Sequence, residues 1–430
     1  MSHRDLASRH RAIMPDWVHL YYQEPIALVR GEGRRVWDAE GNEYLDFYGG
    51  VLTTMSGHNL PEVVEAIQEQ AAKILHSSTL YLIQSQIELA ERIGELSNID
   101  NARVFFTSSG TEATDTALLL ATAFRRSNQI IALRHSYHGR SLPAIAITGI
   151  GPWSPSSLSP FQVTYVQGGY KLRSPFKHLP DDQFIAACVA DLTEVLDVAT
   201  AGDVACMIAE PIQGVGGFIT PPDGFFGAIK QVLDEHGILF IADEVQTGWG
   251  RTGENFWGIQ AHDVTPDILT FAKGIGNGLA IGGLVAREEI INCLTANSIS
   301  TFGGNPLATA GALANLTYLL DNDLQTNALK VGNQLMTGLR QIGDHSPSIA
   351  EVRGKGLMIG IELVKPGGRE PAPEETSQVM EETKERGLLI GRGGLASNVL
   401  RVAPPLTVTP EEVTEALGIL SQSFDALEHA

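Results

Sequence analysis

Two stretches decide how this chain folds: Ile238–Leu239–Phe240–Ile241–Ala242–Asp243–Glu244–Val245–Gln246 and Asp267–Ile268–Leu269–Thr270–Phe271–Ala272–Lys273–Gly274–Ile275–Gly276–Asn277–Gly278. Each contains a short, largely apolar run that leads into one charged group, a carboxylate in the first and an amine in the second. Strands with one wet face alternate polar and apolar residues, whereas strands covered on both faces do not. Both runs therefore read as core strands with helices on either side. The pattern recurs at Val104–Phe105–Phe106, Ile130–Ile131–Ala132–Leu133, Val204–Ala205–Cys206–Met207–Ile208 and Gly283–Leu284–Val285, with helical stretches between most of them. That alternation predicts an α/β fold with a doubly wound, mostly parallel sheet. Such sheets bind ligands outside the carboxyl ends of their strands. Asp243 and Lys273 both fall there.

The flanks read differently. Residues 1–55 form a polar arm followed by short strands, with a turn at Glu40–Gly41–Asn42 between two β-rich pieces. Pro61 opens a helix at its first position, and Val63, Val64, Ile67, Ala71, Ile74 and Leu75 recur at helical spacing. Past residue 320, Leu357, Ile359, Ile361 and Leu363 alternate with Met358, Gly360 and Glu362, which predicts a strand with one covered face. Pro366 to Glu375 reads as a surface loop. Thr409–Pro410–Glu411–Glu412 is a capping box that opens a final helix. The expected organisation is a large domain over 56–320 and a smaller α+β domain built from 1–55 and 321–430.

Composition narrows the partners. With 430 residues and 43% hydrophobic content, the chain can bury a large core. A formal charge of −20 argues against nucleic acid and anionic membrane, which attract basic surfaces. Cys188, Cys206 and Cys293 are odd in number and include no Cys–x–x–Cys. They read as core filler in a reducing, cytoplasmic setting, with no disulfide framework and no metal site. Met1 to Ala7 holds no apolar h-region, and no apolar run approaches the roughly 18 residues of a membrane span.

Chemistry gathers at the strand ends. A lysine amine and a buried aspartate, each closing a core strand, are what pyridoxal phosphate (PLP) requires. The amine holds the cofactor as a Schiff base, and the carboxylate keeps the pyridine nitrogen protonated. Val104–Phe105–Phe106–Thr107–Ser108–Ser109–Gly110–Thr111–Glu112 is a strand, a small-residue turn and a helix start. Free N–H groups, Gly110, and the hydroxyls of Ser109 and Thr111 make a phosphate cradle there, although the Ser109–Glu112 spacing also serves as an ordinary cap. Ser136–Tyr137–His138–Gly139–Arg140 follows another strand, so Tyr137 is placed to stack on a cofactor ring. For His138 and Arg140 a structural role in a polar loop stays open.

These motifs carry a resemblance. Ser109–Gly110–Thr111–Glu112–Ala113, Tyr137–His138–Gly139–Arg140, Ala209–Glu210–Pro211–Ile212–Gln213–Gly214, Asp243–Glu244–Val245–Gln246–Thr247–Gly248, Ala272–Lys273–Gly274 and Thr301–Phe302–Gly303–Gly304–Asn305–Pro306 occur in the order of the class III aminotransferases, of the fold-type-I PLP superfamily. Val352 to Gly360 and Gly387 to Gly393 look most like the alanine–glyoxylate aminotransferase 2 branch. The resemblance implies that Lys273 binds PLP and shuttles a proton, and that Asp243 pairs with the pyridine nitrogen. It also implies Val245 beneath the ring, Tyr137 above it, Gln246 at the 3′-oxygen and Glu210 one layer behind. Gly110 and Thr111 would bind phosphate, joined by Thr301 from a neighbouring subunit, so that a homodimer, alone or paired into a tetramer, would share its sites. Arg401 would grip a substrate carboxylate, a task suited to a planar fork, and Val51 would line the pocket.

Two departures stand out. The glutamate that masks this arginine in 4-aminobutyrate aminotransferases is Val215 here, which favours an alanine-like α-amino donor over 4-aminobutyrate or other ω-amino acids. The family's Gly–His–x–His–Pro is Gly57–His58–Asn59–Leu60–Pro61, without the second histidine. The expected reaction moves an amino group to a 2-oxo acid by a ping-pong cycle through pyridoxamine phosphate. The alternative is a lyase acting on amino-alcohol phosphates on the same scaffold.

Overall fold

The computed structural model describes residues 3–428, and the outermost residues of the expected terminal segments, Met1, Ser2, His429 and Ala430, lie outside the described residues. Among these, seven strands form one large sheet: β1 (Ala102–Thr107), β2 (Gln129–Leu133), β3 (Gln162–Val166), β4 (Cys206–Ala209), β5 (Leu239–Asp243), β6 (Ile268–Phe271) and β7 (Gly282–Arg287). Their order is β1–β7–β6–β5–β4–β2–β3. Every pairing is parallel except those of β7, which runs antiparallel to both β1 and β6. The mixed but mostly parallel sheet matches the sequence expectation.

The unbroken apolar runs have the cause inferred for them. All residues of β2, β4, β5 and β6 are buried. Alternate residues of β5 enter different cores: Leu239 and Ile241 pack with Leu118, Ala121 and Ile208, while Phe240 and Ala242 pack with Phe226, Leu233 and Leu269. Full burial of one such side chain is worth about 1.5–3 kcal/mol. The edge strand β3 escapes sequence reading because Gln162–Val163–Thr164–Tyr165–Val166 is only partly covered and is mixed in polarity.

Two smaller four-stranded sheets complete the fold. In one, Leu28–Glu32, Arg35–Asp38 and Glu43–Asp46 form a meander, and Leu388–Leu389 adds in parallel to Glu43–Asp46. The predicted turn at Glu40–Gly41–Asn42 is held by Asp38 Oδ1, which accepts from the N–H groups of Glu40 and Asn42 at 2.9 Å each. The other sheet is antiparallel throughout, in the order Ile349–Lys355, Met358–Leu363, Val399–Val402, Gly391–Gly393.

Three local expectations change. Met358–Leu363 has both faces covered, because Glu362 is buried in a charge cluster and Gly360 packs beneath Gly217. The helix opened by Pro61 ends at Lys73, leaving Ile74 and Leu75 beyond it and exposed. The loop after Pro366 gives way at Pro373 to a helix, Pro373–Glu385. The capping box at Thr409 forms as read: Thr409 Oγ1 accepts from Glu412 N at 3.2 Å, and Glu412 Oε2 from Thr409 N at 3.0 Å. Cys188 and Cys206 are buried as expected, whereas Cys293 keeps partial exposure, and all three thiols are free. Among the described residues no helix is long and apolar enough to cross a membrane.

Candidate active site

Parallel strands end on the same side, so the segments following β1, β2, β4, β5 and β6 converge at one edge. Asp243 is the last residue of β5, and Lys273 lies two residues past β6. Asp243 Oδ2 meets His138 Nδ1 at 2.7 Å, and its Oδ1 accepts from Val245 N at 3.2 Å and Thr270 Oγ1 at 3.4 Å. Both members of the His138–Asp243 pair are buried. Glu210, just past β4, accepts from Tyr137 N at 3.0 Å and Gly214 N at 2.8 Å. Burial pushes its carboxyl up to about 7; His138 pulls it down, and Asp243 adds to the rise.

Lys273 occupies the left-handed region, with φ of +47°. A residue with a Cβ is rarely found there, and such strain persists only where surrounding structure enforces it. Burial lowers the pKa of its amine, and the Arg401 charge adds to this; Asp243 and Glu210 act in the opposite sense without reversing it. The loop behind Asp243 is held by hydrogen bonds and ring packing. Glu244 accepts from the N–H groups of Gly258 and Ile259 at 2.9 and 2.7 Å, and Trp249 packs on Trp257 and Phe271 with centroids 4.6 and 5.5 Å apart.

The phosphate-type turn follows β1 and opens the helix Gly110–Arg125. Both hydroxyls of the expected cradle are engaged within the protein. Ser109 Oγ caps Glu112 N at 3.3 Å, and Thr111 Oγ1 accepts from Arg140 N at 2.9 Å and Ser141 N at 3.2 Å. The anion-binding capacity therefore lies in the N–H groups of Gly110 and Thr111, which a helix start leaves open. Gly110 packs closely on the loop after β5, since a Cβ there would stand 3.2 Å from both methyls of Val245. Gln246 lies against Gly214 in the same way, with its Nε2 2.2 Å from where a Cβ would stand.

Arg401 comes from a different sheet, on Val399–Val402, yet its guanidinium reaches this edge and donates to Gly214 O at 3.4 Å. Burial opposes its charge, and the Tyr48 and Tyr21 oxygens more than offset this, holding its pKa above the usual value. Tyr48 and Tyr21 were not singled out from sequence. Each lies in an aromatic-containing stretch, Phe47–Tyr48 and Tyr21–Tyr22, which offered a weak signal.

Two expected residues stay apart from this cluster, and a third stands at its rim. Arg140 joins it through its backbone N–H on Thr111, while its side chain is exposed, with the guanidinium 5.3 Å over the Trp17 ring. Thr301 is exposed ahead of the helix Pro306–Asp321 and makes no hydrogen bond to the cluster. Val51 is 40% exposed on a turn beyond Tyr48.

The class III aminotransferase family model matches residues 19–424. The chain belongs to this family. It is 37% identical over 427 residues to alanine–glyoxylate aminotransferase 2 homolog 2, mitochondrial, of Arabidopsis thaliana, covering 98% of this chain and 87% of the relative. It is 39% identical to the acetylornithine aminotransferase of Caldanaerobacter subterraneus, over 93% of this chain and 95% of the relative. Among solved structures, a thermostable (S)-enantioselective omega-transaminase from Thermomicrobium roseum superposes with a TM-score of 0.90 at 33% identity, covering 99% and 98% of the two chains. Fold type I and aminotransferase activity follow, with PLP as the cofactor. The residues fit that group. A helix start could take its phosphate, an amine of lowered pKa its aldehyde, and a buried carboxylate its ring nitrogen. Two buried polar atoms, Nε2 of His138, whose other ring nitrogen meets Asp243, and Oε1 of Gln246, which lies against Gly214, have no partner within the described residues.

Proposed function

We propose that this aminotransferase takes the amino group of an alanine-like α-amino acid and delivers it to a 2-oxo acid in a ping-pong cycle, the first product leaving before the second substrate binds. The observation that supports this most is Arg401, a buried cation whose hydrogen bonds go to neutral oxygens, whose other neighbours are the Tyr48 and Phe218 rings, and whose charge acts on Lys273. An α-carboxylate seated there would complete the pairing that a buried charge requires. In this reading PLP supplies an aldehyde that takes up the amino group and a protonated ring that draws electrons from the substrate carbon. Lys273 Nζ holds the cofactor and then moves the proton at the substrate Cα, a role its lowered pKa suits. Asp243, oriented by His138, keeps the ring nitrogen protonated. Tyr137 and Val245 would hold the ring from its two faces, Gln246 would serve its oxygen, and the N–H groups of Gly110 and Thr111 would hold the phosphate, while Glu210 braces the Tyr137 and Gly214 backbones.

A donor without a carboxylate beside the reacting carbon leaves Arg401 unpaired, which weighs against the amino-alcohol-phosphate lyase. Val215 supplies no carboxylate to mask Arg401, which weighs against 4-aminobutyrate. We further read 1–55 and 321–430 as one smaller unit, on the strand pairing of Leu388–Leu389 with Glu43–Asp46, and the free cysteines as fitting the cytoplasm. Leu80, Tyr81 and Leu82, at 72%, 71% and 94% exposed, and Phe302 beside Thr301, favour a homodimer in which Thr301 completes the partner's phosphate site.

The test adds L-alanine, with no oxo acid, to PLP-loaded protein. One pyruvate per active site, with loss of the yellow absorbance and no further turnover until an oxo acid is added, is expected. Continuous pyruvate release without acceptor, or none at all, refutes the reading.

A further inference from the structure

Arg401 is held by a tyrosine that the chain has gone to some length to place. The guanidinium donates to Arg392 O at 3.2 Å, to Gly214 O at 3.4 Å and, through Nη2, to the Tyr48 hydroxyl, with its Cζ 5.0 Å from the Tyr48 ring centroid. Among the described residues no carboxylate lies within ion-pairing distance of it. Tyr48 itself is buried.

Four features fix Tyr48. Its N–H and that of Gly49 both donate to Asp46 Oδ1 at 2.9 Å, and the other Asp46 oxygen meets His58 Nε2 at 2.8 Å. Gly391, paired with Arg401 across the strands, leaves the space its ring fills: a Cβ there would stand 2.1 Å from Tyr48 Cε2. The Tyr21 ring stacks on Tyr48 at 6.1 Å, and its hydroxyl reaches Arg392 O at 3.3 Å. Beyond Tyr48 the backbone passes through four left-handed residues, Gly49, Gly50, Val51 and Leu52, with φ of 53°, 57°, 65° and 63°. Val51 and Leu52 carry a Cβ in a region that disfavours it, so tertiary contacts must enforce the turn.

A neutral holder has a chemical consequence. A carboxylate partner would cancel the guanidinium charge, whereas a phenol accepts one hydrogen bond from it and leaves the charge whole. The Tyr48 hydroxyl is itself hydrogen-bonded to that of Tyr21, which also reaches Arg401, so the two phenols hold the guanidinium together. An arriving carboxylate therefore meets a full cation set in place beforehand.

We infer that Tyr48 is a specificity-determining residue, whose hydroxyl presents the Arg401 guanidinium and selects donors and acceptors that carry an α-carboxylate. This rests on the reading of Arg401 as the carboxylate grip. The test compares wild type, Tyr48→Phe and Arg401→Gln as PLP-loaded enzymes. Two readouts are used: the Kd of propionate, an unreactive carboxylate, from thermal shift; and the ratio of kcat/KM for L-alanine to that for ethylamine, which lacks the carboxylate. One hydrogen bond to a charged group predicts that Tyr48→Phe raises the propionate Kd and lowers the ratio, each by about tenfold. Changes within twofold, or an equal loss with both amines, overturn the role of Tyr48 while leaving Arg401 to its own result. Propionate binding that survives Arg401→Gln unchanged overturns the carboxylate grip, and the Tyr48 role with it.

Discussion

Replacing Glu362 by glutamine asks how the outer antiparallel sheet holds the active-site hairpin. Glu362 is fully buried; Oε1 accepts from Arg173 Nε at 2.6 Å, and Oε2 from Arg353 Nη1 at 2.7 Å and from the Tyr170 hydroxyl. Arg353 in turn donates from Nε and Nη2 to Gly217 O at 3.0 and 2.9 Å. Gly217 sits in the hairpin closed by Gln213 and Ile219, the same hairpin whose Gly214 touches Arg401 and Glu210. Glutamine keeps the shape, removes the charge and leaves two guanidiniums against a neutral amide. Breaking a buried pair costs about 3–5 kcal/mol. Glu351, at the rim, still reaches Arg353, so the lower end, about 3 kcal/mol, applies here. At about 2.1 cal/mol/K per residue, a chain of 430 residues has an unfolding entropy of about 0.9 kcal/mol/K, so Tm should fall by about 3–4 °C. Calorimetry of wild type and variant at neutral pH reads this directly, and the KM for L-alanine should rise as the hairpin loosens. Burial alone would raise the Glu362 carboxyl, but Arg353 chiefly outweighs it and the pKa is lowered. Its contribution is therefore present above the ordinary value of 4.5 and lost as pH falls through the lowered one, so the gap between the proteins narrows in acid. A double variant, Arg353→Met with Glu362→Met, should lose less than the two single losses added. A Tm shift below about 1 °C with unchanged KM would refute this account of the clamp.

Asp243→Ala should still bind PLP but lose about two orders of magnitude or more in kcat, read by cofactor absorbance and steady-state assay. Near-wild-type turnover would remove Asp243 from its role. The Lys273 amine titrates below its ordinary 10.5, so folded apoprotein binds fewer protons than unfolded chain between the lowered value and 10.5. Wild-type stability contributed by this group therefore rises with pH in that window, and apo Lys273→Met should be the more stable protein at neutral pH, with the advantage closing toward 10.5 in melting curves. Gly391→Ala should cost about 1–3 kcal/mol by denaturant unfolding, because the new Cβ meets the Tyr48 ring. Leu82→Asp, at the most exposed of the apolar positions near residue 80, should halve the mass seen by sedimentation equilibrium; a monomeric wild type would end the dimer reading.

The large sheet was legible because its strands obey one rule. β2, β4, β5 and β6 are covered on both sides, so their sequences are unbroken apolar runs, and only β3, at a half-wet edge, was hidden. The strand-end residues were legible for a related reason: a charged group terminating such a run has no structural use that would explain it. The pairing of His138 with Asp243 was not visible, since the two are far apart in sequence and meet only because β2 and β5 flank β4. Met358–Leu363 misled because alternation was taken for a wet face, when the polar side is buried by Arg353, Arg173 and Gly217 arriving from elsewhere. Tyr21 and Tyr48 gave little signal, because nothing local in sequence announces a contact with Arg401.

That division has a physical basis. Lys273, Asp243, Glu210 and the Gly110 turn stand at the edge of one rigid sheet, where strand order alone brings them together. The groups around Arg401 come instead from the arm at Tyr21, the strained turn after Tyr48, the strand Val399–Val402 and the hairpin at Gly214. Reaction class is thus written into a framework that helices and strands specify locally. On the reading of Arg401 as the carboxylate grip, substrate choice would rest on the meeting of four segments that lie outside that sheet. The net charge of −20 sharpens the point. An anionic substrate gains nothing from the global field, so on the reading of Arg401 as the carboxylate grip its affinity would come from that buried guanidinium, which has no carboxylate partner among the described residues, and from whatever holds it in place. Changes to Tyr48, Gly391 or the 213–219 hairpin should therefore shift the choice of donor more than the rate of proton transfer at Lys273.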